Sequence, residues 1–191
     1  MELANEAAYG SKGVRMIMRP GQQLLLPASP WFVWISLLVA LILNMLQNMD
    51  LWGRATWTPD LLAVVLVFWT VHQPRYVSIV AAFLFGLLMD VHQGALLGQY
   101  ALAYTALSYL AITIHRRLLW FKVLSQAAHV LPIFVVAHAV ELISRMLAGG
   151  GFPGVGILIA PLIEAALWPV ASVLLLLPQR RAPDPDAHRP L

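Results

Sequence analysis

Four acidic residues of this 191-residue chain, Asp60, Asp90, Glu141 and Glu164, fall in or beside long apolar runs. A carboxylate in such a setting is costly unless it is paired, caps a helix or serves a function. Asp60 follows Pro59 at the start of a run, where a carboxylate accepts free N–H groups and suits the positive end of the helix dipole; capping accounts for it. Asp90 closes the next run, where negative charge opposes the dipole. It needs another reason, and pairing with Arg54 or with a partner protein is the preferred one. Glu141 and Arg145 stand four apart on one helix and can pair with each other. Glu164 has no partner nearby in sequence: it meets His129, His138 or an amide across the bundle, or sits neutral in an apolar site. His138, Glu141 and Glu164 could form a proton relay in principle, but their spacing defines no geometry. Asn44, Gln47 and Asn48 lie on one helical face, which turns into the bundle or to the outer surface.

Catalytic, cofactor and metal chemistry finds little support. There is no His-x-x-x-His or His–Cys ligand set, no Ser-His-Asp arrangement arguable from spacing, and no nucleotide fingerprint. The glycine-rich stretch Gly149 to Gly156 has no Lys-Ser/Thr after it and reads as a flexible connection rather than a phosphate loop. The chain contains no cysteine, which excludes disulfides, iron–sulfur clusters and thiolate zinc. No feature points to nucleic acid.

These residues must be positioned by elements made for a bilayer. The chain is 60% hydrophobic and 11% charged, with a mean hydropathy of +0.76. Soluble domains are about 45–50% apolar and about 25% charged, so this excess cannot be hidden in a soluble core. The expected fold is all-α, with one integral membrane domain over residues 30–178 made of six spans: about Trp31 to Met49, Asp60 to His72, Tyr76 to Met89, Leu97 to Ile114, Val123 to Leu147 and Ile157 to Leu177. Residues 1–29 form a cytoplasmic arm and residues 179–191 a proline-rich disordered tail. No cleavable signal peptide is apparent, so the first span stays as an anchor. The second and third spans are short: about 14 residues at ~1.5 Å each cover about 21 Å, against about 30 Å of hydrocarbon. Crossing is favoured over a re-entrant hairpin, with Trp69, His72 and Arg75 forming an interfacial turn. Trp31 and Trp34 mark one aromatic belt, and Trp52 and Trp57 the other. Ala82 and Gly86, and again Gly94 and Gly98, are four apart, the spacing that lets helix backbones approach; ordinary packing within the chain is the expected use.

Charge orients the bundle. Lys12, Arg15, Arg19, Arg75, Arg116, Arg117, Lys122, Arg180, Arg181 and Arg189 fall on one side of a six-span topology, and Arg54 and Arg145 on the other, out of 12 basic residues. The positive-inside rule puts both termini in the cytoplasm. Asp60 and Asp90 then share the outer surface with Asn44, Glu141 and Arg145.

The stretch Pro59-Asp60, Trp69, Gln73-Pro74-Arg75, Phe85-Gly86-Leu87-Leu88-Met89-Asp90, Gly94-Ala95-Leu96-Leu97-Gly98-Gln99, Ala101-Leu102-Ala103-Tyr104 and Arg116-Arg117 resembles the MreD family of rod shape-determining membrane proteins. The resemblance extends over about residues 30–178 in length, span number and charge placement. It implies a non-catalytic component of the bacterial inner membrane. Such a component associates with the bitopic protein MreC and, through it, with MreB filaments, the RodA polymerase and a class B penicillin-binding transpeptidase, to direct lateral peptidoglycan synthesis. It also implies a six-helix fold similar to the substrate-binding subunits of energy-coupling-factor transporters. No catalytic residues come with it. The positions it carries over are Pro59, Asp60, Arg75, Gly86, Asp90 and Gly98, as helix-start, turn, packing and surface positions. The alternative is a small-molecule-binding membrane subunit of a transporter, motivated by the outer polar cluster.

Overall fold

A computed structural model describes residues 29–48 and 57–179. The N-terminal arm with Lys12, Arg15 and Arg19, the 49–56 loop with Trp52 and Arg54, the tail with Arg180, Arg181 and Arg189, and the Asn48 side chain lie outside the described residues. The elements, in order, are α1 (Pro30–Asn48), α2 (Leu61–His72), α3 (Ile79–Gln93), α4 (Gln99–Leu118), α5 (Val123–Leu147), a 3-10 turn at Val155–Leu158, α6 (Ala160–Leu176) and a closing 3-10 turn at Leu177–Gln179. No strand occurs among the described residues. Three segments, 30–47, 123–147 and 155–179, are long and apolar enough to cross a membrane. α2 and α3 are apolar but shorter.

The shortness of α2 has a structural reason. Its residues are apolar on every side, and Leu62, Ala63, Val64 and everything from Leu66 to Val71 are buried. A helix without a polar face belongs inside a bundle. α2 packs against α1, α4 and α6. Because its neighbours sheathe it, its ~18 Å length need not match the hydrocarbon thickness. Its ends are set by chemistry: Asp60 caps its start, and the Gln73-Pro74 turn stops it, with the Gln73 N–H returning to the Trp69 carbonyl at 2.6 Å.

Trp69 departs from the interfacial position expected of it. The ring is fully buried and meets Phe32 of α1 edge-on at 5.8 Å, and its Nε1–H donates to Ser36 Oγ at 2.7 Å. An indole satisfied by a hydroxyl on the neighbouring helix can leave the headgroup layer. Arg75, in the following turn, is exposed as expected, whereas His72 is half-buried, stacked on Phe68 at 4.1 Å.

α3 and α4 approach through the small-residue face. Ala82, Gly86 and Asp90 recur every fourth residue and are all buried. A Cβ on Gly86 would stand 2.4 Å from Ala101 Cα and 2.7 Å from the Tyr100 carbonyl oxygen, so only glycine lets the two backbones come this close. This is packing within the chain. The opposite side of α3, with Val80, Leu84, Leu88 and Val91, is exposed and apolar, as is the outer side of α1.

Candidate functional site

Successive helices run in opposite directions, so the C-terminal parts of α1, α3 and α5 meet the N-terminal parts of α2, α4 and α6 at one end of the bundle. That end collects the two buried acids among the described residues, Asp90 and Glu164, and the buried amides of Asn44 and Gln99. Asp60, at the N-cap of α2, accepts from its own Ala63 N–H at 2.9 Å, from Asn44 Nδ2 of α1 at 3.0 Å and from the Tyr104 hydroxyl of α4 at 2.5 Å. Its main-chain N–H donates to Glu164 Oε1 of α6 at 2.9 Å. One capping residue thereby ties α1, α4 and α6 to the central helix. The capping role expected from Pro59-Asp60 is present, and the Pro59 carbonyl accepts from Gln47 Nε2 at 3.2 Å.

Glu164 meets His138, one of the partners open to it from sequence: His138 Nε2 lies 2.8 Å from Oε1. The side chain is fully buried, and its second oxygen, Oε2, has no hydrogen-bond partner among the described residues. Glu141 does not follow the expectation of pairing with Arg145. Its ion-pair contact is with His138 Nδ1 at 3.6 Å, one turn back on α5. His138 thus stands between two carboxylates. The carboxylate turns to the ring at i, i+3 rather than to the guanidinium at i, i+4.

Asp90 is also corrected. It does not end its helix but lies in the last turn, since α3 continues to Gln93 and closes on Gly94 at φ 59°, with the Ala95 N–H returning to the Asp90 carbonyl at 3.0 Å. Its carboxylate is 1% exposed and points at the start of α4. Oδ2 accepts from the Gly98 N–H at 2.8 Å and from the Ala101 N–H at 3.4 Å, and Oδ1 accepts from the Tyr100 N–H at 2.7 Å. The N-cap of α4 is Gly98, at φ 108°, which has no side chain to cap with. Asp90 supplies that cap from another helix, and the dipole that makes an acid unfavourable at the end of α3 favours it at the start of α4. Arg54, the other partner proposed for it, lies outside the described residues.

The helix ends surround a cavity of about 640 Å³ whose lining includes Gln47, Asp60, Gln99, Tyr100, Glu141 and Arg145. Of the positions singled out from sequence, Asn44, Gln47, Pro59, Asp60, Gly94, His138, Glu141 and Arg145 line it, and Glu164 sits behind Asp60 and His138. Gly86, Asp90 and Gly98 form the α3–α4 junction, and Arg75 lies at the other end of the bundle. Sequence reasoning gave Tyr104 no role in the site, although it closes the Asp60 cluster; Tyr100 and Tyr104, four apart, mark the α4 face that turns toward it. No group of His, Cys, Asp and Glu suited to a metal ion occurs among the described residues.

An all-helical bundle with apolar outer faces, segments long enough to span a bilayer and its buried acids drawn to one end is an integral membrane protein. Residues 28–177 match the family model for the rod shape-determining protein MreD, and the chain belongs to that family. It is therefore a membrane protein of rod cell-shape determination. No solved structure matches the chain.

Proposed function

We propose that this protein is a non-catalytic component of the elongation machinery of the bacterial inner membrane, and that it holds the transmembrane helix of MreC against its own bundle. All six helices cross in this reading, with α2 sheathed by the others and both termini cytoplasmic, in keeping with the charge distribution and with the six-helix plan of energy-coupling-factor substrate-binding subunits. Through MreC the protein couples to MreB, RodA and the class B penicillin-binding transpeptidase.

The observation that carries the reading is an apolar furrow of about 360 Å³ between α1 and α3, lined by Trp34, Tyr76, Val80, Leu84, Phe85 and Leu88. A furrow with aromatic walls beside a small-residue floor at Ala81 accepts the ridge of a passing helix. Because Asp90 is turned inward, the partner surface moves from the acids to the face of α3 directed away from α4. The test places single photoreactive residues at Leu84 and Leu88, and at Leu174 of α6 as the control, in native membranes. Capture of the MreC helix at the first two positions and not at Leu174 is expected. Capture of lipid alone at Leu84 and Leu88 would reject this surface.

The polar cavity favours a second reading, a small-molecule-binding membrane subunit of a transporter. Mass spectrometry of the purified protein decides whether a small molecule accompanies it.

A further inference from the structure

The cavity at the polar end has a specific chemistry. Its volume, about 640 Å³, falls in the range of ligand sites, about 300–1,000 Å³. Its charged groups are unbalanced. The carboxylates of Asp60 and Glu141 on its wall, with that of Glu164 behind them, share the donors of His138, Asn44, Tyr104 and main-chain N–H groups, and Glu164 Oε2 still lacks a donor among the described residues. Glu141, which lines the cavity, has a 3.6 Å contact with a ring already bound to Glu164 at 2.8 Å and a hydrogen bond with the Tyr100 hydroxyl, and no cation other than that shared ring pairs with it among the described residues. One turn along, Arg145 also lines the cavity, and no acid among the described residues forms an ion pair with its guanidinium. An acid and a cation on adjacent turns, neither paired with the other, complement a molecule that carries both charges. Side chains at i and i+4 are neighbours, so the two charges of that molecule lie close together. The amides of Gln47 and Gln99 and the Tyr100 side chain add uncharged lining beside them.

We propose that this cavity binds a small zwitterion whose ammonium and anionic group lie a few bonds apart, the ammonium on Glu141 and the anion on Arg145. The proposal deepens the second reading above and rests on its cavity; it is independent of MreC binding. A free amino acid and a phosphoethanolamine lipid headgroup both have this chemistry.

Titration calorimetry on the full chain in detergent, with L-alanine and with glycerophosphoethanolamine, tests it. Binding of at least one is expected, with ethylamine and acetate at least tenfold weaker, and with Glu141→Gln and Arg145→Gln each weakening the zwitterion at least tenfold. Arg145→Lys keeps the charge and is expected to retain most of the binding. L-Alanine alone identifies a free amino acid, and glycerophosphoethanolamine alone identifies a headgroup. Absence of binding by both zwitterions overturns the proposal, as does equal binding of the singly charged probes to the unaltered protein or binding unchanged in both Gln variants. The singly charged probes keep the test decisive if a variant does not fold. A small molecule of another class retained on purification, with no zwitterion binding, would leave the transport reading standing and remove this one.

Discussion

The main-chain N–H of Tyr100 donates to Asp90 Oδ1 at 2.7 Å across the turn between α3 and α4. With the Gly98 N–H on the other oxygen, it makes Asp90 the cap of a helix to which it does not belong. The same residue lies in the last turn of one helix and caps the start of the next, and Gly86, one turn back, allows the approach that puts it there. Asp90→Ala removes every acceptor at once and leaves buried N–H groups without partners. A loss of about 1–3 kcal/mol is expected, seen as a lower melting temperature in detergent. Asp90→Asn keeps one acceptor oxygen and is expected to fall between. Equal melting of the Ala and unaltered proteins would refute the capping role.

Gly86→Ala places a methyl group 2.4 Å from the Ala101 Cα, a backbone atom that cannot swing aside. The helices must separate, at a cost of about 1–3 kcal/mol or more. Gly151→Ala meets nothing within 4 Å and serves as the control, with a change within about 0.5 kcal/mol. Thermal melts of the two variants side by side measure the difference.

His138 and the fully buried Glu164 form a pair at 2.8 Å, so removing the histidine strands the carboxylate. His138→Leu and Glu164→Leu are each expected to cost about 3–5 kcal/mol, and the double variant less than the sum of the two. Glu164→Gln, which can still accept from the Asp60 N–H, is expected to be milder. Strict additivity in the double-variant cycle would show that the pair is not coupled.

Tyr104→Phe deletes one hydroxyl from a side chain that is 2% exposed and takes a donor from the Asp60 carboxylate. A loss of about 1.5–3 kcal/mol is expected, since the acceptor is a carboxylate. Tyr109→Phe, on an exposed part of the same helix, is expected to change stability negligibly. The comparison is read from melting temperatures of the two variants.

Apolar runs and their breaks determined where the helices lie. The run from Val123 to Leu147 is helical over those residues, and Pro59-Asp60 starts α2 as a capped helix because the capping chemistry is local. Alternation of direction then placed Asp60, Asp90 and Glu141 at a common end before any packing was known. The family was also legible, in the motifs between Pro59 and Arg117, and the match over residues 28–177 bears it out. Which apolar residues face protein was not legible. Lipid and core are both apolar, so hydropathy gives Trp69 and Trp31 the same meaning, yet one is fully buried and the other 79% exposed. The partners of the acids were equally hidden. Asp90 reads as an unfavourable charge while only its own helix is considered; its role depends on the start of a second helix brought beside it. Asp60 joins Asn44, Tyr104 and Glu164, separated from it by up to 104 positions, and only the packing of four helices brings them within hydrogen-bond reach. Local sequence determined the helices and the end at which their polar groups gather; the tertiary structure decided which of those groups meet, because hydrogen bonds depend on distances that sequence spacing sets only within a turn or two of one helix.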